Sequence, residues 1–152
     1  MIKLVTVTVV CMLAAAADAR AQAIGFNGGI GLDPTQGYVG TYFETAGLGG
    51  GRIHLRPGID GAFGNDVSEA IIDVFFVYKT PLGPFSPWTF HYGFGPVVSF
   101  ERFADQVFTH GGFGSTFGME HRSGFFFEFK ASGGGGPNLM MGVGYRIGRQ
   151  EP

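Results

Sequence analysis

The stretch PWTFHYGFGPVVSFE, residues 87–101, places a bulky residue at every second position. One parity carries Trp88, Phe90, Tyr92, Phe94, Pro96, Val98 and Phe100, while the other carries Thr89, His91, Gly93, Gly95, Val97, Ser99 and Glu101. Successive side chains of a β-strand point to opposite faces, so a period of two is typical of a strand. The stretch therefore predicts a strand with one bulky apolar face and one small or polar face.

The composition limits the class of protein. The chain has 152 residues, which is the length of a single domain. Only 14% of the residues are charged, against roughly 25% in soluble domains, whereas glycine (28) and phenylalanine (17) are abundant. The net charge is −2 and the basic residues are scattered, so nothing indicates a nucleic-acid partner.

The N-terminus has the pattern of an export signal. Lys3 is followed by an apolar run over 4–17 and then by Ala21-Gln22-Ala23. A positive start, a short apolar core and a small-x-small end predict a secretory signal peptide over residues 1–23, cleaved after Ala23. A lipoprotein anchor at Cys11 is the alternative, although the residues before it are bulkier than that modification uses. We expect the mature domain to span 24–147, followed by a short tail over 148–152.

The alternation continues through the rest of the chain. Eight segments with period two are separated by clusters of Gly, Pro, Asn and Asp, at 24–32, 38–46, 52–63, 69–79, 87–101, 112–120, 125–130 and 139–147. FADQVFTH, residues 103–110, is interpreted as a longer loop. Short connections favour antiparallel neighbours, and an even number of strands permits closure. We predict an all-β, eight-stranded antiparallel up-and-down barrel.

Side-chain volume predicts which face looks outward. An interior of eight strands is only about wide enough for side chains to fill it, so the bulky parity does not fit inside, whereas the glycine-rich parity does. This favours a transmembrane barrel of strands of about 9–12 residues, a suitable length for a tilted membrane strand, over a soluble carrier. Tyr78, Trp88 and Tyr145 would lie at one rim. The predicted lipid-facing aromatic residues are Phe76, Tyr78, Trp88, Phe90, Tyr92, Phe94, Phe117, Phe125, Phe127, Phe129 and Tyr145.

The same orientation places charged residues in the lumen. An unpaired buried charge costs several kcal/mol, so these groups are expected to pair and to plug the interior. A narrow pore for ions or small solutes, lined by the same residues, is the alternative. The predicted lumen network is Glu44, Arg52, Arg56, Asp60, Glu69, Asp73, Lys79, Glu101, Glu120, Glu128, Lys130 and Arg146, with His54 and His91 among them.

The last segment, NLMMGVGYRIG, resembles the C-terminal assembly signal of small eight-stranded outer-membrane barrels, the group around the transmembrane domain of outer membrane protein A. Gly142, Tyr145 and Ile147 match the spacing of that signal, although Ile147 replaces its usual aromatic residue and GRQEP extends beyond it. The resemblance implies a monomer in the bacterial outer membrane with both termini in the periplasm. It also implies contact with membrane lipid and lipopolysaccharide, insertion by the barrel-assembly machinery, and a structural or adhesive role.

One motif suggests chemistry. His121, Ser123 and Glu128 in HRSGFFFE are similar to the catalytic groups of the lipid A 3-O-deacylases, and a serine nucleophile needs such a base and acid. However, Gly124 replaces the asparagine of that family, Glu128 lies on the lumen parity, and HRSG is typical of a tight turn. We therefore expect a non-enzymatic protein that displays loops such as 101–110, with a lipid A-modifying enzyme as the alternative. The histidines lack metal-ligand spacing, so no metal or cofactor is expected.

Overall fold

The computed structural model describes residues 21–48, 51–64, 67–103, 106–133 and 137–148. Residues 1–20 of the predicted signal peptide, including Cys11, and residues 149–152 of the predicted tail lie outside this description. Eight strands form in chain order: β1 (Ala21–Leu32), β2 (Gln36–Thr45), β3 (Ile53–Phe63), β4 (Val67–Pro81), β5 (Trp88–Phe103), β6 (Gln106–His121), β7 (Phe125–Gly133) and β8 (Leu139–Gly148). β1 thus begins three residues before the predicted mature N-terminus.

The strands form a closed barrel. Each strand pairs antiparallel with the next one along the chain, and β8 pairs with β1, where Phe26 lies opposite Tyr145. Closure leaves every strand with a neighbour on both sides, which removes the exposed edges of an open sheet. The predicted all-β, eight-stranded antiparallel up-and-down barrel is confirmed. Among the described residues, no helix is long and apolar enough to cross a membrane.

The barrel wall is taller on one side than on the other. We call the end with Ala21 and Gly148 the terminus end, and the opposite end the far end. β4, β5 and β6 have 15, 16 and 16 residues, whereas β7 has nine. β6 pairs with β7 only from Phe113 onward, so the preceding part of β6 extends beyond β7 at the far end.

Two sequence expectations are wrong at this extension. Of the predicted loop, residues 101–103 belong to β5 and residues 106–110 to β6, and Arg102 lies opposite Val107 and Phe103 opposite Gln106. β4, β5 and β6 also exceed the predicted 9–12 residues, whereas the other five strands lie within that range. The β-branched and aromatic side chains of Val107, Phe108 and Thr109 favour a strand, and pairing with β5 extends this strand back to Gln106.

The two faces of the barrel wall differ as the alternation predicted. On β5, Phe94 is 65% exposed, whereas His91 and Val97 on the opposite parity are buried. Arg56, Asp60 and Glu128 on other strands are at most 2% exposed. The barrel therefore presents most of its large apolar side chains outward and encloses most of its charged ones.

Candidate functional site: a charge-lined lumen

Near the terminus end, four charged side chains form a closed ring. Lys79 Nζ lies 2.6 Å from Glu44 Oε1 and 2.9 Å from Glu120 Oε2. Arg146 completes the ring, with Nε 2.5 Å from Glu120 Oε1 and Nη1 3.4 Å from Glu44 Oε1. The four residues come from β2, β4, β6 and β8, so the ring ties alternate strands together across the lumen. Each charge touches two of the opposite sign, which leaves the ring neutral.

A second group connects β3 with β7. The Arg56 guanidinium donates to the Glu128 carboxylate and to Thr116 Oγ1, the latter at 3.1 Å. Its Cζ lies 4.5 Å from the centre of the Tyr42 ring. His91 Nε2 lies 3.5 Å from Glu128 Oε2. Charge-assisted hydrogen bonds such as that of Arg56 are among the strongest in proteins, so this group holds the middle of the lumen together.

The third group is centred on Lys130. Its Nζ donates to Asp60 Oδ2 at 2.6 Å and to Asp73 Oδ2 at 3.0 Å, and Glu128 Oε1 lies 3.9 Å away. Lys130 therefore links the Arg56 group to two carboxylates on β3 and β4. One lysine between three carboxylates makes this part of the lumen the most acidic of the three groups.

Glycines on the inner face make room for these long side chains. A Cβ atom at Gly40 would overlap the Asp60 carboxylate, and one at Gly25 would overlap the Tyr42 ring. The lumen is too narrow for a side chain at both positions of each pair. The inward parity thus combines glycines with long charged side chains, and the glycines leave the space that these side chains occupy.

An apolar cluster lies inside the barrel beside the charges, and the sequence analysis did not predict it. Ala62 is the next inward residue after Asp60 on β3, and Ile71 is the inward residue before Asp73 on β4. Both lie on the far-end side of these carboxylates. The sequence does contain a sign of this cluster, because large apolar residues such as Phe75 lie on the parity that carries the charged residues. The cluster consists of Tyr38, Ala62, Ile71, Phe75, Val77, Val97 and Met140, all nearly fully buried.

The far-end mouth of the lumen differs from the interior. Glu69 on β4 lies directly opposite Glu101 on β5, and His110 Nε2 lies 3.5 Å from Glu101 Oε2. Within the described ranges, neither carboxylate forms an ion pair with a lysine or arginine. The expectation that all lumen acids pair with fixed bases is therefore wrong for these two.

Arg52 is also misplaced by the sequence analysis. It precedes β3, is exposed, and directs Nη1 toward the Tyr78 hydroxyl at 3.4 Å. The alternation extends only as far as the strand does, so parity does not place Arg52 in the lumen. His54, the next inward residue, is buried, with Nδ1 2.9 Å from the Thr45 carbonyl.

Only two of the three candidate catalytic groups come together. His121 Nδ1 lies 2.9 Å from Ser123 Oγ and also accepts a hydrogen bond from the Ser123 backbone N–H at 3.2 Å. His121 ends β6 and Ser123 lies in the turn between β6 and β7, as the tight-turn interpretation predicted. Glu128 lies in the lumen, bound by Arg56, so it does not orient His121. No three His, Cys, Asp or Glu side chains converge as metal ligands in the described part of the chain.

The predicted lipid-facing aromatic residues all lie on the outward parity. Their rings contact one another along the wall, as in the stacked pair Phe117 and Phe129 with centroids 5.1 Å apart. Trp88 meets His121 edge to face at 4.9 Å at the terminus end. In β8, Tyr145 and Ile147 point outward, and a Cβ at Gly142 would overlap the Tyr38 hydroxyl inside. Recognition of these three residues as an assembly signal stays a prediction.

Comparison with known proteins supports the fold. No family model matches the chain, and no curated protein matches it. The N-terminal β-barrel domain of Pseudomonas aeruginosa OprF is similar in structure, with a TM-score of 0.59 and 12% sequence identity over 83% of this chain and 98% of that one. The Yersinia pestis outer membrane protein Ail gives a TM-score of 0.46 and 9% identity over 83% and 99%. The predicted resemblance in fold to small eight-stranded outer-membrane barrels is confirmed.

Proposed function

We propose that this chain is a non-enzymatic β-barrel of the bacterial outer membrane, with a structural or surface-interaction role. The observation that carries the proposal is the distribution of side chains: Phe94, Val39 and many other apolar groups face outward, whereas Arg56 and Glu128 are enclosed. In water this arrangement exposes apolar surface at a cost of about 25 cal/mol per Å², and in a bilayer it does not. Membrane lipid and lipopolysaccharide would be the surroundings of a monomer.

Export and insertion complete this proposal. The predicted signal peptide over 1–23 would direct the chain to the periplasm, and the β8 residues Gly142, Tyr145 and Ile147 would present it to the barrel-assembly machinery. Both termini would then lie on the periplasmic side. The β5–β6 hairpin would project from the cell surface, where it is the element best placed to contact other molecules.

The membrane location is tested by cell fractionation and gel mobility. We expect the protein to sediment with the outer membrane, to require detergent for extraction, and to migrate differently before and after boiling, because a closed barrel resists unfolding by the gel detergent. Extraction in buffer alone, with the protein remaining folded, would instead support a soluble periplasmic carrier and contradict the proposal.

We also propose that the lumen is closed to ions. The ring of Glu44, Lys79, Glu120 and Arg146 crosses the barrel between four strands, and the Arg56–Glu128 pair crosses it between β3 and β7. The apolar cluster fills space beside them. Planar-bilayer recordings of the purified protein should show no steady conductance. Regular open steps would support the narrow-pore alternative.

The enzyme alternative has a separate test. The contact between His121 and Ser123 is local to one turn, and no acid among the described residues is bonded to His121, so we expect the purified protein to release no acyl chain from lipid A. Release that is abolished by Ser123→Ala would establish the enzymatic function and contradict this part of the proposal.

A further inference from the structure

Glu69 is an exception among the enclosed carboxylates of this protein. Each of Glu44, Asp60, Asp73, Glu120 and Glu128 lies within 4.0 Å of a lysine or arginine nitrogen. Glu69 is only 5% exposed, yet no described residue gives it such a partner, and its Oε1 has no hydrogen bond. The titratable groups that face it are Glu101 and His110. A carboxylate in this position lacks the compensation that the rest of the lumen provides.

The neighbours of Glu69 increase this deficit. Glu101 is its direct cross-strand partner, and directly opposed residues have Cβ atoms about 4.5–5.5 Å apart, a spacing at which like charges repel. Ser99, the previous inward residue of β5, is 1% exposed, and its hydroxyl faces the Glu69 carboxylate without reaching ideal hydrogen-bond geometry. Ser99 thus adds a buried oxygen on the face that holds both carboxylates.

The cluster is also accessible from one side. The Glu101 side chain is 31% exposed and that of His110 is 41% exposed, so the far-end mouth opens to solvent beside the buried Glu69. His110 contacts Glu101 from β6, which restricts that carboxylate from the side away from Glu69. An ion could therefore reach the two carboxylates from solution without passing the charged interior.

We propose that Glu69, Glu101 and the Ser99 hydroxyl bind a calcium ion at the far-end mouth of the barrel. Calcium takes six to eight oxygen ligands at 2.3–2.6 Å, accepts carboxylates in one- or two-oxygen contact, and tolerates irregular geometry completed by water. Two opposed carboxylates and a hydroxyl supply oxygen ligands on one side of the ion, and solvent at the open mouth supplies the rest. A dissociation constant of about 0.1–1 mM is expected, the range of weak calcium sites that water helps to complete. The site does not depend on the proposed membrane location.

Thermal unfolding of the purified, folded protein in a non-ionic detergent tests the site. Calcium at 10 mM, compared with chelator, should raise the Tm of the natural chain by roughly 4–8 °C, because a ligand that binds only the folded state stabilises it. Equilibrium dialysis with radioactive calcium should find one ion per chain. Glu69→Gln keeps the shape of the side chain and removes its charge, so it should abolish both effects and raise the Tm in chelator.

Asp33→Asn is the matched control. Asp33 is an exposed carboxylate at the same end of the barrel, and its positive φ of 59° is one that asparagine tolerates. This variant loses the same charge as Glu69→Gln and should keep the full calcium response. The proposal is overturned if the natural chain neither binds calcium nor shifts its Tm, if Glu69→Gln retains the response, or if Asp33→Asn loses it.

Discussion

The inner and outer faces of the same barrel wall follow different rules of stability. Inside, Arg56 has a specific geometric partner in Glu128, and both are almost completely enclosed. Outside, Phe94 lies opposite the exposed Phe76 of β4, forms no ion pair, and is 65% exposed. The comparison shows that one period-two pattern encodes two requirements: the inner face needs particular pairs, whereas the outer face needs only apolar character.

The largest effect is expected when one member of an inner pair is removed. Arg56→Met should lower the free energy of unfolding by about 3–5 kcal/mol, because it leaves Glu128 enclosed without its strongest partner. Urea unfolding of the folded protein in lipid vesicles measures this change. The double variant Arg56→Met/Glu128→Leu should recover most of the loss, and an equal or larger loss in the double variant would contradict specific pairing.

A charge placed on the outer face should lower the free energy of unfolding somewhat less than Arg56→Met does. Phe94 lies six residues after Trp88, which places it about 15 Å above the terminus-end rim for a tilted strand, near the middle of an apolar band about 25 Å tall. Phe94→Arg should therefore cost about 2–4 kcal/mol in vesicles. Val107→Arg is the control, since this outward residue lies on the far-end hairpin, beyond the band, and should cost at most about 1 kcal/mol. Equal costs at both positions would argue against a membrane-spanning wall.

The sequence predicted most of the fold and the orientation of the wall. Alternation is a local property, so PWTFHYGFGPVVSFE alone indicates a strand, and side-chain volume indicates its outward face. It does not predict where strands end: the alternation places Arg52 in the lumen although β3 begins at Ile53, and it predicts a loop over residues 101–110. Strand ends depend on pairing with neighbours, which a pattern along one segment does not contain.

The sequence also does not predict which charged residues in the lumen pair with each other. The list of inward charged residues follows from parity, but Lys130 contacts Asp60 and Asp73, which are 70 and 57 positions away. Such partners are set by the register of several strands and by the route of each side chain through the lumen. For the same reason the sequence did not show that Glu69 lacks a base.

A smaller loss is expected in the ring at the terminus end. Lys79→Met removes two ion pairs, but Glu44 and Glu120 both keep Arg146. The Lys79 side chain is also 13% exposed, so water reaches this part of the lumen. We expect a loss of about 1–3 kcal/mol in urea unfolding, less than for Arg56→Met. A loss as large as that of Arg56→Met would show that the ring has no redundancy.

The smallest effect is expected for an apolar exchange on the outer face. Phe94→Leu should change the free energy of unfolding by less than about 1 kcal/mol, because lipid chains adapt to the altered shape. The same exchange inside, Phe75→Leu, should cost about 1–3 kcal/mol, since Phe75 is 2% exposed and packs within the apolar cluster near Lys130. Urea unfolding of the two variants under one set of conditions compares the faces directly. If both exchanges cost the same, the outer face also depends on specific packing, as it would against a protein partner rather than fluid lipid.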